Sequence, residues 1–181
     1  DFGSILDSIF VLLAAIFSRV VQTNQLVQEK ELKLKLLLRI SGVRDTAMWL
    51  SWAVFFVIGA IVPALLWMGL GRIPYLGLEV IEETDPQVIF TCFFLFYLAN
   101  SAYAAFSSTF IRSTIVGYGL GFFDCIFMWM FSGAISSLLY TSSVPVLVRG
   151  LLSFLFPPFV WAKTYYEIKR AVDRGGLQWS Q

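Results

Sequence analysis

Long apolar runs and short polar breaks alternate along this chain, and their lengths set the first expectations. Residues 2–21, 46–70, 87–111 and 113–135 are each about as long as the ~20 residues a helix needs to cross a bilayer. The first run carries Asp7 near one end and Arg19 near the other, placed to reach opposite interfaces. The second holds no charge, has Pro63 as a predicted kink, and keeps Trp49, Trp52 and Trp67 toward its ends, where an aromatic belt would sit. The third is also free of charge, and a short turn at Arg112, Ser113 and Thr114 leads into the fourth, with Asp124 near its middle. Beyond it the pattern changes. Residues 150–162 are apolar but too short to cross as a helix, and Pro157 and Pro158 lie inside them. A re-entrant hairpin over 136–162 fits, because irregular backbone at membrane depth survives where protein buries it. A polar, partly helical tail over 163–181 follows, with Gly175 and Gly176 as a stop. The predicted fold is all-α and polytopic: four spanning helices, one helix outside the membrane and a hairpin.

The long charged stretch between apolar runs is Gln28–Trp52, QEKELKLKLLLRISGVRDTAMWLSW. Glu29 precedes Lys33 by four residues and Glu31 precedes Lys35 by four, the favourable orientation for ion pairs on a helix. This predicts a helix over 26–41. Its leucines do not gather into one stripe, as expected for a helix that protein touches on more than one side. Gly42 can supply the left-handed residue that ends it, and Asp45 or Thr46 can cap the next helix.

Lysine and arginine bias sets the orientation. Arg19, Lys30, Lys33, Lys35, Arg39 and Arg44 flank the first break, against Arg72 alone in the next, which is rich in acid (Glu79, Glu82, Glu83, Asp85). The 26–41 helix is thus expected in the cytoplasm and the acidic loop outside. Lys163, Lys169, Arg170 and Arg174 in the tail strain this rule if 113–135 is the last span; a distorted crossing over 136–162 would relieve it.

Composition narrows the function classes. The chain has 181 residues, 58% of them hydrophobic and 14% charged, against about 25% charged in ordinary soluble domains. A net charge of +1, with no basic cluster interleaved with aromatics, gives no nucleic-acid signal. There is no His, and Cys92 and Cys125 stand alone in apolar runs, so the usual metal ligands and a disulfide framework are missing. No Gly-Lys pair occurs, so this chain has no phosphate-cradling loop.

Asp124 is the carboxylate expected at mid-bilayer depth, a functional candidate by default. It is read either as a protonated carboxyl bonded to Asn100, Tyr118 or a Ser, or as part of a proton or ion path. Gly117 and Gly121 have the small-xxx-small spacing of close helix packing, and so do Ser101 and Ala105; a substrate groove is the other reading. The Glu29–Arg39 segment reads as a helix on the anionic lipid surface or as a lever docked on a cytoplasmic partner.

The stretch EKELKLKLLLRISGVRDTAMWLSW resembles the first intracellular helix of the subfamily A ABC transporters, a family of lipid exporters. The matching positions are Glu29, Lys30, Glu31, Leu34, Lys35, Gly42, Trp49 and Trp52. Leu36 stands where the family usually has Glu, Leu38 and Ser41 where it favours Met, and Val43 where it has Leu. SSTFIRSTIVG (Ser107–Gly117) and LLSFLFPPFVWAKTYYE (Leu151–Glu167) are weaker echoes in the family's order. The resemblance implies part of one transmembrane domain, in a plasma or vesicle membrane. The first and sixth spans, a large extracellular domain and the ATPase domains that use ATP and Mg would lie elsewhere. It makes Glu29–Arg39 a coupling helix, with Gly42 and Arg112 in the same cytoplasmic region. Its implied partners are a nucleotide-binding domain and a second transmembrane half, and its cargo a phospholipid or sterol. Membrane subunits of other ABC exporters and an ion- or proton-coupled carrier using Asp124 are the alternatives.

Overall fold

The computed structural model describes residues 2–72, 84–123, 126–127, 144–155 and 157–172. Every regular element among these residues is an α-helix: α1 (Phe2–Glu31), α2 (Leu34–Ile40), α3 (Asp45–Leu70), α4 (Pro86–Phe110), α5 (Thr114–Phe123), α6 (Val146–Leu155) and α7 (Pro157–Val172).

α4 is the helix around which the bundle is built. Asp85 caps it by accepting the Gln87 backbone N–H at 3.1 Å, and Pro86 opens its first turn, where a missing N–H costs nothing. Its buried residues, Ile89, Phe93, Phe96, Tyr97, Asn100, Ser101, Ala104 and Ser108, recur every three or four positions and form one continuous face. α3 and α1 both pack along it. α3 buries only the small Ala60 and Ala64, one turn apart, which let the two backbones approach closely. The rest of α3 presents Leu50, Val54, Ile58, Val62 and Leu66 outward. Within the helices, hydroxyls and amides donate back to carbonyls one turn earlier: Thr91 to Gln87, Asn100 to Phe96, Ser101 to Tyr97. Polar side chains thereby satisfy their donors inside an apolar bundle.

α3 and α4 are the helices among the described residues that are long and apolar enough to cross a membrane. The run at 2–21 forms the first part of α1, and the fourth expected span is described as α5 to Phe123 and at 126–127. Asp124 lies outside the described residues, as do 136–143 and 156 of the expected hairpin. α7 continues past residue 162 to Val172, so the first part of the expected polar tail is helix. It buries Trp161, Tyr165 and Ile168 in the same core as Val11, Leu12 and Ile16 of α1 and Phe93 and Phe96 of α4. Trp161 lies 4.5 Å from the Phe96 ring, stacked, and 4.7 Å from Phe93, edge-on. α7 therefore closes the end of the bundle away from α2, where Trp67 of α3 donates to the Tyr97 hydroxyl at 3.0 Å.

Several expectations about α1 and its sequel are corrected. The helix predicted over 26–41 is two helices. α1 runs unbroken from the first apolar stretch to Glu31, Lys33 then adopts the left-handed conformation (φ 52°), and α2 starts at Leu34. The bundle does not stop at Val21. Gln22, Thr23 and Asn24 are buried between helices, because α4 and α5 continue alongside α1 at that level. Arg19 does not reach out to an interface; it is 2% exposed, with its guanidinium 4.7 Å above the Tyr103 ring. Arg44 occupies the N-cap position of α3 without a side-chain cap, and Asp45 sits in the first turn instead, its carboxylate taken by Arg39 at 2.5 Å.

Candidate functional site

The charged stretch divides into two parts with opposite surroundings. Its first part, Glu29, Lys30 and Glu31, grips the bundle. Because successive helix positions point about 100° apart, these neighbours reach different helices. Glu29 accepts a hydrogen bond from the Trp52 indole N–H of α3 at 2.9 Å. Lys30 donates to the Ser108 carbonyl in the last turn of α4. Glu31 accepts from Thr114 at the start of α5, from the hydroxyl at 2.6 Å and from the backbone N–H at 3.1 Å. The expected ion pairs to Lys33 and Lys35 are not made, because both carboxylates are already engaged and Lys33 has left the helical path. The Thr114 hydroxyl and then its N–H hold the Glu31 carboxyl below the ordinary carboxylate range.

The second part, α2, touches little. None of its residues is buried, although Leu34, Leu36, Leu37, Leu38 and Ile40 are apolar. Lys35 lies 5.6 Å above the exposed Trp49 ring. Gly42 ends α2 with φ 88°, and the Val43 and Gly42 N–H groups return to the carbonyls of Leu38 and Arg39 at 3.0 and 3.2 Å. This is the pairing of a Schellman stop, and it needs a residue content with positive φ. Arg39 then fastens the end of α2 to Asp45 at the head of α3. A short apolar rod is thus held at both ends and left bare along its length.

Beneath this end lies a cavity of about 370 Å³ between α1, α4 and α5. Its walls are largely apolar, with Phe106, Phe110, Leu120 and Phe123. Arg19, Thr23, Tyr103 and Ser107 supply the polar groups, the two hydroxyls of Thr23 and Ser107 standing 3.5 Å apart. Gly117 and Gly121 line it as well and set α5 against α1. A Cβ on Gly117 would stand 2.2 Å from the Asn24 side-chain oxygen, and one on Gly121 2.7 Å from Val20. That oxygen has no hydrogen-bond donor among the described residues.

The candidates read from sequence therefore separate. Glu29, Lys30, Glu31, Leu34, Lys35, Arg39 and Gly42 gather at one end of the bundle, with Arg112 exposed on the nearby α4–α5 turn. Gly117 and Gly121 lie at the α1–α5 seam. Asn100 is buried in the bundle, its amide N–H₂ donating to Phe96. Sequence reasoning missed Thr114 and Ser108 as partners, although Ser-Thr before an apolar run is a helix-start signal. Nothing in the local pattern marked Asn24, Tyr103 or Trp161.

The class of protein follows from comparison with known families. A profile of the family described as "ABC-2 family transporter protein" matches residues 2–167, and the chain belongs to that family of membrane transport components. It is similar to ABC transporter A family member 2 of Arabidopsis thaliana, with 31% identity over 176 residues, 95% of this chain and 18% of that protein. Member 11 of the same plant is 29% identical over 98% of this chain and 19% of its own length. Cholesterol transporter ABCA5 of Mus musculus is 34% identical over 44% of this chain and 5% of its own length. The chain thus spans about a fifth of the length of the plant relatives it matches. No solved structure matches it.

Proposed function

We propose that this chain is the membrane-spanning part of an ATP-driven lipid transporter, and that α2 is the element on which a nucleotide-binding domain acts. The observation that carries this reading is α2 itself: exposed throughout, rich in leucine, continuous with α1 through Lys33 and fastened to α3 by the Arg39–Asp45 pair. An apolar helix left bare at the mouth of a bundle offers a partner an anchor of i, i+3, i+4 side chains. Hydrolysis of ATP with Mg, in domains outside this chain, would move α2. The bundle would answer by re-posing α1, α3, α4 and α5 around the cavity. On this reading the second transmembrane half belongs to the same polypeptide, the membrane is crossed several times, and the α2 end is cytoplasmic, as the basic residues around it require.

A lipid cargo, phospholipid or sterol, is supported by the cavity, whose largely apolar walls carry a few polar groups, and by the likeness to the mouse cholesterol transporter. The test is cross-linking in the full-length transporter. A Leu37→Cys variant should capture the nucleotide-binding domain, with a yield that changes when ATP and Mg are added. A Cys at 37 that reacts freely with soluble reagents yet captures no such domain would end this reading.

A further inference from the structure

We infer that Lys30 and Glu31 cap two other helices in trans, and that this makes the α4–α5 turn the point where α2 movement enters the bundle. The inference rests on the proposed role of α2 and assigns positioning residues to it. α4 ends at Phe110 and α5 begins at Thr114, so one helix presents its free carbonyls and the next its free N–H groups across a tight turn. The first pole is negative and the second positive. α1 brings its own end to this place with a cation followed at once by an anion. The Lys30 ammonium meets the Ser108 carbonyl of α4, and the Glu31 carboxylate meets the Thr114 N–H and hydroxyl of α5. The order of the two charges matches the order of the two poles.

α4 gives way at once to extended backbone at Ile111, and the charged side chain of the turn, Arg112, is exposed. Glu29, held by Trp52, adds α3 to the same grip. The end of α1 is therefore joined to α3, α4 and α5 by directional bonds, while two residues later the backbone takes the left-handed Lys33 conformation. That residue is the joint between the moving rod and the gripped end. A push on α2 reaches the spans through Glu29–Glu31, and the α4–α5 turn is carried with α1 rather than left behind.

The decisive variant exchanges the two charges, Lys30→Glu together with Glu31→Lys, in the full-length transporter reconstituted in phosphatidylcholine vesicles. Net charge and helix-forming tendency are retained, and each helix pole now faces a like charge. Translocation of a fluorescent short-chain phosphatidylcholine should fall at least about fivefold, the low end for an energetic coupling between sites. ATP turnover and the Leu37→Cys cross-link should persist. Unchanged translocation overturns the inference, whereas a missing cross-link in the otherwise native protein strikes the α2 reading instead. Should the exchanged variant not fold, Glu31→Gln and Thr114→Val are combined and melting temperatures compared. Losses smaller together than their sum support the trans cap; additive losses overturn it.

Discussion

The two ends of the bundle are held by different physics. At the end closed by α7, Trp161, Tyr165, Phe93, Phe96 and Tyr97 pack ring against ring, and Trp67 adds one hydrogen bond. At the α2 end the ties are charged and directional: Glu29 to Trp52, Lys30 to Ser108, Glu31 to Thr114, Arg39 to Asp45. Ring packing gains many small contacts and loses them gradually. A hydrogen bond to a helix end is made or broken within about an ångström. The first kind of contact suits a fixed end and the second a working end, where elements must be gripped in one state and repositioned in another.

The comparison can be broken first at the packed end. Trp161→Ala removes the ring between Phe93 and Phe96 and should destabilise the protein by about 3 kcal/mol, the largest effect foreseen, read as a drop in the midpoint of denaturant unfolding. Trp161→Phe should cost less, since it also removes an indole N–H that is buried without a hydrogen-bond partner among the described residues. A loss no greater than that of an exposed α3 leucine such as Leu66→Ala would show that α7 does not close the core.

The seam between the two ends comes next. Gly117→Ala drives a methyl into the Asn24 oxygen, and the overpacking should cost about 1–3 kcal/mol. Asn24 Nδ2 is bonded to the Val20 carbonyl at 3.0 Å, so the side chain yields only by giving up that bond. Adding Asn24→Ala should recover part of the loss. Failure to recover any of it would place the clash elsewhere on α5.

The smallest effect belongs to pH at the α2 end. Glu31 is held below its ordinary value of 4.5 by Thr114, so its folded pKa is lower than its unfolded one. The contribution is present above the unfolded pKa and is lost as pH falls through the folded pKa. Thermal melts from pH 6 to about 3 should show a small acid destabilisation in the native protein that shrinks in Thr114→Val. An equal acid slope in both would mean that the Thr114 bonds do not matter in solution.

Much of the plan was legible from residues alone. Apolar run length set α3 and α4, because a bilayer demands that length of any span. The family was legible from EKELKLKLLLRISGVRDTAMWLSW and its order of charges, and Gly42 announced the end of the charged helix through a positive φ that other residues resist. Tertiary structure decided the partners. The sequence shows Glu29 and Glu31 as charges spaced for pairs along their own helix, yet each of them, like Lys30 between them, is taken by a different helix. Arg19 and Gln22–Asn24 looked like the edge of a span and are interior, because α4 and α5 run beside them. Local pattern reports what a residue can do; which helix stands opposite it depends on how the chain returns from far along the sequence, and there a charge finds its pole or a glycine its neighbour.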